Sequence, residues 1–259
     1  MNMTLKVFTA FSGYDSQCMA LDRMKIDYEL VGWSEIDKYA IMAHNAIYPQ
    51  YKDRNFGDIS KIDWENVPDF DLFTYSFPCT DISSAGQQKG LEEGSGTRSG
   101  LLWECKKAIE LKRPKYLLME NVKALTKKFL PYLHKWHSFL TEMGYTNFTQ
   151  ILNSKNFGVP QNRERVFMVS ILGDVWFDFP KPFQSDKKLK DLLYEPINNK
   201  YFRIRKLTEK ECFRLMDVSD ENINKIQNSG ISKTQQYKMA GNSIVVNVLY
   251  FIFKNLFKQ

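Results

Sequence analysis

Four cysteines and three histidines are all that 259 residues offer for thiol or imidazole chemistry. Cys18, Cys79, Cys105 and Cys212 stand far apart, with no C-x-x-C pair and no flanking histidine, which argues against a zinc site and a disulfide framework. Such a chain suits a reducing compartment, and a cytoplasmic protein without a metal is expected. Long apolar runs are also missing. The nearest, "IVVNVLYFIFKNLF", is shorter than the ~18 residues of a membrane span and holds Asn247, Lys254 and Asn255. Nothing near Met1 reads as a signal peptide, so no membrane partner is expected. His44, His134 and His137 fall in helical stretches, not at strand ends, which argues against a Cys-His hydrolase.

What is present suits one α/β domain, or one with a small appendage. Hydrophobic residues make up 43%, enough for a sizeable core. The net charge of +6 favours a polyanionic partner, though a merely basic protein would show the same figure. "LKVFTAF", "YELVGWSEI", "DFDLFTYSF" and "KYLLMENV" read as strands, and "SQCMALDRM", "DKYAIMAHNAIY" and "GLLWECKKAIELKRP" as intervening helices. "FTQILNS" and "RVFMVSIL" form a later strand pair. The alternation implies a largely parallel sheet with helices on both faces. Chemistry in such sheets belongs at the carboxyl ends of strands, where Gly13, Glu35, Cys79 and Glu120 fall.

"FSGYDSQ" after the first strand is either an ordinary strand-to-helix turn or a cofactor turn, and its single glycine is a weak signal. Glu35 is placed to accept from ribose hydroxyls and Asp58, in "FGDIS", from an adenine amine. In "YSFPCTDISSAG" the cysteine follows a proline where a strand stops and the backbone opens. A thiol there is a candidate nucleophile, and Glu120 is a candidate proton donor or acceptor beside it.

With these residues in place the chain resembles the cytosine-C5 DNA methyltransferases, from residue 5 to near its C-terminus. "FSGYDS" resembles the first motif in divergent form, "PCTDISSAG" the nucleophile loop, "MENV" the catalytic acid strand and "QNRERVFMV" the arginine motif. "RKLTEKECFRLM" and "YKMAGNSIVVNVL" resemble the last two. The resemblance implies a Rossmann-like methyltransferase fold, a mixed and mostly parallel sheet, S-adenosyl-L-methionine as methyl donor and cytosine-containing duplex DNA as partner, in a bacterial or phage-infected cell. It implies that Cys79 adds to C6 of a flipped-out cytosine, that Glu120 serves N3, and that Arg165, with Arg163 as second candidate, holds the base oxygen or supports the acid. It also implies a cofactor pocket of Phe11, Gly13, Tyr14, Glu35, Ile36, Asp58, Ile59, Pro78, Leu101, Asn242 and Ile244. The loop "SSAGQQKGLEEGSGTRSG" has the composition of a lid, with Gln87, Lys89 and Arg98 as phosphate contacts.

Two departures stand out. Tyr14 and Asp15 occupy positions where the family generally has a hydrophobic residue and glycine; an acid near a sulfonium is tolerable electrostatically, yet weaker cofactor binding is expected. Between "KDLL" and "RKLTEKEC" only "YEPINNKYFRI" remains, far too short for an independent base-reading module. The expected division is a catalytic and cofactor domain over 1–178, a stunted small lobe over 179–229 and a returning segment over 230–259. Phosphate contacts are expected from Lys181, Lys187, Lys188, Lys190, Arg203, Arg205 and Lys206, or this cluster is a solvated face. Three alternatives to a self-sufficient enzyme remain: a catalytic half needing a partner chain for recognition, a non-enzymatic DNA- or cofactor-binding regulator, and an RNA cytosine methyltransferase.

Overall fold

The structure, a computed structural model, describes residues 4–79, 99–193 and 205–257. Six strands form one sheet in the order β2-β1-β3-β4-β6-β5. They are β1 (Leu5–Ala10), β2 (Tyr28–Ser34), β3 (Leu72–Tyr75), β4 (Tyr116–Val122), β5 (Tyr145–Asn153) and β6 (Glu164–Leu172). The first four are mutually parallel, and β6 alone is reversed, antiparallel to both β4 and β5.

Among the described residues eight α-helices accompany the sheet: α1 (Ser16–Met24), α2 (Lys38–Ile47), α3 (Glu104–Lys112), α4 (Leu130–Glu142), α5 (Glu209–Leu215), α6 (Asp220–Asn228), α7 (Lys233–Asn242) and α8 (Val246–Leu256). Alternation along the strands splits the apolar residues between two cores. Val7, Leu72, Leu118 and Val169 bury toward α1, α2, α6 and α8. Phe8, Phe73, Met119 and Met168 bury toward α3 and α4. Both faces are therefore covered, as nearly continuous apolar strands require.

Local chemistry sets the helix boundaries. Asp37 caps α2 by accepting from the N–H groups of Tyr39 and Ala40. Thr208 and Glu211 form a reciprocal capping box at the start of α5. The apolar tail is a core helix: Val246, Leu249, Ile252 and Phe253 of α8 are buried in the same cluster as Leu21 of α1. Phe213, Met216, Ile223 and Ile226 from the 179–229 segment lie in that cluster too. At Gly32 a close approach leaves no room for a side chain, since a Cβ would sit 2.6 Å from the Phe8 ring.

Candidate functional site

The carboxyl ends of β1 and β2 meet in one loop. Phe11, Gly13 and Asp15 all take left-handed φ, at 54°, 58° and 67°, so the chain between β1 and α1 is tightly coiled. Two hydrogen bonds hold it against β2. Ser12 N–H donates to the Ser34 carbonyl at 3.2 Å, and Gly13 N–H donates to Glu35 Oε2 at 3.0 Å. Glu35 Oε1 accepts from the N–H groups of Ile36 and Asp37, each at 2.8 Å. Its carboxylate is thus fixed at the end of β2, and beside it the Ile36 side chain is 68% exposed.

Asp15 does not face this opening. Its side chain is fully buried, accepting from Thr9 Oγ1 at 2.9 Å and from Cys18 N–H at 3.2 Å, the latter capping α1. His44 Nε2 lies 3.4 Å away. The expected penalty of an acid beside a sulfonium therefore does not arise: the carboxylate is a helix cap pointing inward. Tyr14 also turns into the core, 1% exposed, with its ring edge-on to Phe213 and its hydroxyl donating to Ser243 Oγ. Its side chain does not line the opening, which corrects that expectation.

The other expected cofactor residues are spread by burial. Ile59 and Ile244 are 3% and 6% exposed, their side chains in the two cores, so neither frames an open surface. Asp58 caps a short 3-10 turn, accepting from Ser60 N–H at 3.1 Å and Ser60 Oγ at 2.8 Å. These bonds hold its carboxyl below the usual range. Leu101 packs on the second core, and Asn242, the last residue of α7, is exposed.

Cys79 lies just past β3, half-buried. Two side chains hold the backbone leading to it. Asn121 Nδ2 donates to the Phe77 carbonyl at 3.0 Å, and Ser99 Oγ donates to the Pro78 carbonyl at 2.7 Å. Asn121 is 3% exposed and its Oδ1 also accepts from Val122 N–H. Asn121→Ala should therefore leave the Phe77 carbonyl unpaired and cost about 1–3 kcal/mol, read as a lower urea midpoint with unchanged m-value.

Glu120 and Arg165 meet because β6 is reversed. Glu120 pairs with Phe167 and Val122 with Arg165, which makes Glu120 and Arg165 diagonal neighbours on one face. Arg165 Nε lies 3.2 Å from Glu120 Oε1. Burial pushes the Glu120 carboxyl up, against the opposing pull of Arg165 and then Arg163. Burial, then the Glu120 charge, pushes the Cys79 thiol up, while both arginines pull it down. The thiol, the acid and the two guanidinium groups are thus one electrostatic cluster.

Arg163 is placed differently from Arg165. Its Nη2 donates to the carbonyls of Gly241 at 3.0 Å and Ser243 at 2.7 Å, fastening the turn between α7 and α8. Its Nε is buried without a hydrogen-bond partner. Burial lowers the guanidinium pKa, and so does the neighbouring Arg165 charge.

Two expected DNA contacts are engaged elsewhere. Arg205 makes paired hydrogen bonds with the buried Glu211 carboxylate, at 2.7 and 2.8 Å, and Lys187 lies 3.7 Å from Asp217. Gln87, Lys89, Arg98 and Arg203 lie outside the described residues. Among the described residues no cluster of potential metal ligands occurs. Asn121, Ser99 and Ser243 were not singled out from the sequence. Only Asn121 had a signal, its place in "MENV".

The sequence model of "C-5 cytosine-specific DNA methylase" matches residues 5–202 and 183–258. Type II methyltransferase M2.ScrFI of Lactococcus lactis subsp. cremoris is 36% identical, over 98% of this chain and 99% of that protein. Orphan methyltransferase M.SPRI of Bacillus phage SPR is 34% identical over 94% of this chain, which spans 61% of it. Orphan methyltransferase M.SssI of Spiroplasma monobiae is 34% identical over 76% of this chain and 66% of its own length. The fold is also that of S. pombe Dnmt2 methyltransferase, with TM-score 0.75 at 17% identity over 98% of both chains. Entamoeba histolytica methyltransferase EhMeth gives 0.79 at 15% identity over 99% of both.

Proposed function

The chain belongs to the C-5 cytosine-specific DNA methylases, and we propose that it methylates C5 of cytosine in DNA with Cys79 as nucleophile and Glu120 as acid. The observation that carries this is the electrostatic cluster of Cys79, Glu120 and Arg165 at the carboxyl edge of the sheet. C5 of cytosine is a poor nucleophile. Bond formation between Cys79 Sγ and C6 moves the C5–C6 π electrons onto C5. Glu120, kept protonated more readily by burial, holds a proton at N3 so that negative charge does not build up on the ring. Arg165 orients the acid through its Nε contact. Once C5 carries the methyl group, loss of the C5 proton and breakage of the Sγ–C6 bond restore aromaticity. The atoms involved are hidden in a stacked duplex, so the base must leave the helix.

S-adenosylmethionine supplies an electrophilic methyl group, and the first loop fits it. Nothing lies within 4 Å of a Cβ built on Gly13, so the loop is open there. Glu35 offers a fixed carboxylate for ribose hydroxyls, the exposed Ile36 an apolar face for adenine, and the buried Ser12 Oγ has no hydrogen-bond partner.

Base reading is reduced in this reading. The alignment with M2.ScrFI runs over 359 positions and this chain has 259 residues, so at least 100 positions (359 less 259) have no counterpart here. The two stretches matched by the family overlap at 183–202, which takes in most of the shortened segment. Such an enzyme holds DNA mainly by its phosphates, with salt-sensitive affinity and relaxed sequence preference. The test is transfer from methyl-labelled S-adenosylmethionine into mixed-sequence duplex DNA, followed by nucleoside digestion. All label should appear as 5-methyldeoxycytidine. Label on another nucleoside, or transfer to RNA but not to DNA, overturns the assignment.

A further inference from the structure

Tyr14 immediately follows Gly13 in the loop assigned above to the cofactor, yet its hydroxyl reaches Ser243, 229 residues downstream. Ser243 closes α7, where the last carbonyls of a helix lack partners within it. Arg163 supplies them, with Nη2 on the Gly241 and Ser243 carbonyls, and places its positive charge at the negative end of the helix. The same guanidinium pulls against the burial that raises the Cys79 thiol and the Glu120 carboxyl. Ser243 therefore joins the cofactor loop to the residue just before β6, its Oγ bonded to Tyr14 and its carbonyl to Arg163.

We propose that Tyr14 is a positioning residue that couples the Gly13 loop to the catalytic cluster through Ser243 and Arg163. The inference rests on the loop's role in holding the cofactor. Tyr14 makes this link where a hydrophobic residue of the same size would only fill space. The link persists at neutral pH, because burial pushes the phenol up to about 12 and it remains a donor. Arg163 accordingly belongs with the positioning residues: its hydrogen bonds go to backbone carbonyls of this chain, whereas Arg165 contacts the acid. Asp15 supports the loop from the other side through Thr9 and the start of α1.

The test is a double-mutant cycle on S-adenosylhomocysteine binding by calorimetry, with kcat measured at saturating S-adenosylmethionine. Tyr14→Phe keeps the ring and removes the hydroxyl, and Ser243 Oγ retains its bond to the Ala240 carbonyl, so the fold should hold. Tyr14→Phe and Arg163→Lys should each weaken binding about three- to tenfold, and the double variant should be no worse than the weaker single one. Should Arg163→Lys not fold, Ser243→Ala takes its place with the same expected overlap. kcat of Tyr14→Phe should fall as well, although Tyr14 touches no reacting atom. Independent, multiplicative losses overturn the coupling, as does Tyr14→Phe with lower thermal stability but unchanged binding and kcat. Wild-type protein that does not bind S-adenosylhomocysteine overturns the cofactor assignment itself and the coupling with it. Wild-type binding with an additive cycle overturns the coupling alone.

Discussion

Cys79→Ala should remove methyl transfer to DNA, with kcat at least about 10⁴-fold lower, while S-adenosylhomocysteine still binds. The size of the loss follows from the chemistry, since no other group in the cluster can form and then release a bond to C6. Glu120 and Arg165 would still surround the base, but they cannot raise electron density at C5. Binding should survive because the cofactor loop is held by its own contacts, Gly13 to Glu35 and Asp15 to Thr9, and none of them involves Cys79. The check is direct. Duplex DNA containing 5-fluorocytosine blocks loss of the C5 substituent, so wild-type protein with cofactor should give a covalent complex that maps to the Cys79 peptide. Cys79→Ala should give none. An adduct on Cys212, the other half-buried cysteine, would displace Cys79 from this role.

Glu120→Gln should lower kcat by about 10²–10⁴, the range of a lost acid–base contribution, yet make Cys79 more reactive. The opposite signs come from one interaction. The Glu120 charge is a cause of the raised Cys79 pKa, so removing it should increase the thiolate fraction and speed alkylation by iodoacetamide at neutral pH. A purely structural carboxylate would give loss of turnover without faster alkylation. Stability supplies a second sign. A carboxyl whose folded pKa is raised favours the folded state while protonated, and that contribution is lost as pH rises through the raised value. Glutamine has no such dependence. The Tm of Glu120→Gln relative to wild type should therefore rise between acid and neutral pH, and a difference that stays flat would contradict the buried-acid assignment.

The sequence made some features plain and hid others for identifiable reasons. Helix starts were legible where a side chain caps the backbone locally, as at Asp37 and in the Thr208–Glu211 box. Strand ends were legible at Pro78 and in "MENV", which placed Cys79 and Glu120 at one edge of the sheet. β3 is shorter than "DFDLFTYSF" suggested, spanning Leu72–Tyr75, although Phe70 and Phe77 on either side are buried in the same core as Phe73 and Tyr75. The directions of Tyr14 and Asp15 could not be read. Periodicity carries no information through a loop with three left-handed residues, so an inward-pointing acid looked like one facing the cofactor. The motif "QNRERV" ranked Arg165 ahead of Arg163, but the Gly241 and Ser243 carbonyls that engage Arg163 lie too far along the chain to be read from it.

The reversal of β6 has a consequence for how such a chain can vary. A reversed strand begins where its parallel neighbours end, so the arginines are delivered to the chemical edge before the chain has passed residue 172. The proposed nucleophile Cys79, the proposed acid Glu120 and both arginines therefore all precede the segment 194–204 in the chain. A change of length in that segment leaves the pairing of β4 with β6, and with it the Glu120–Arg165 contact, in register.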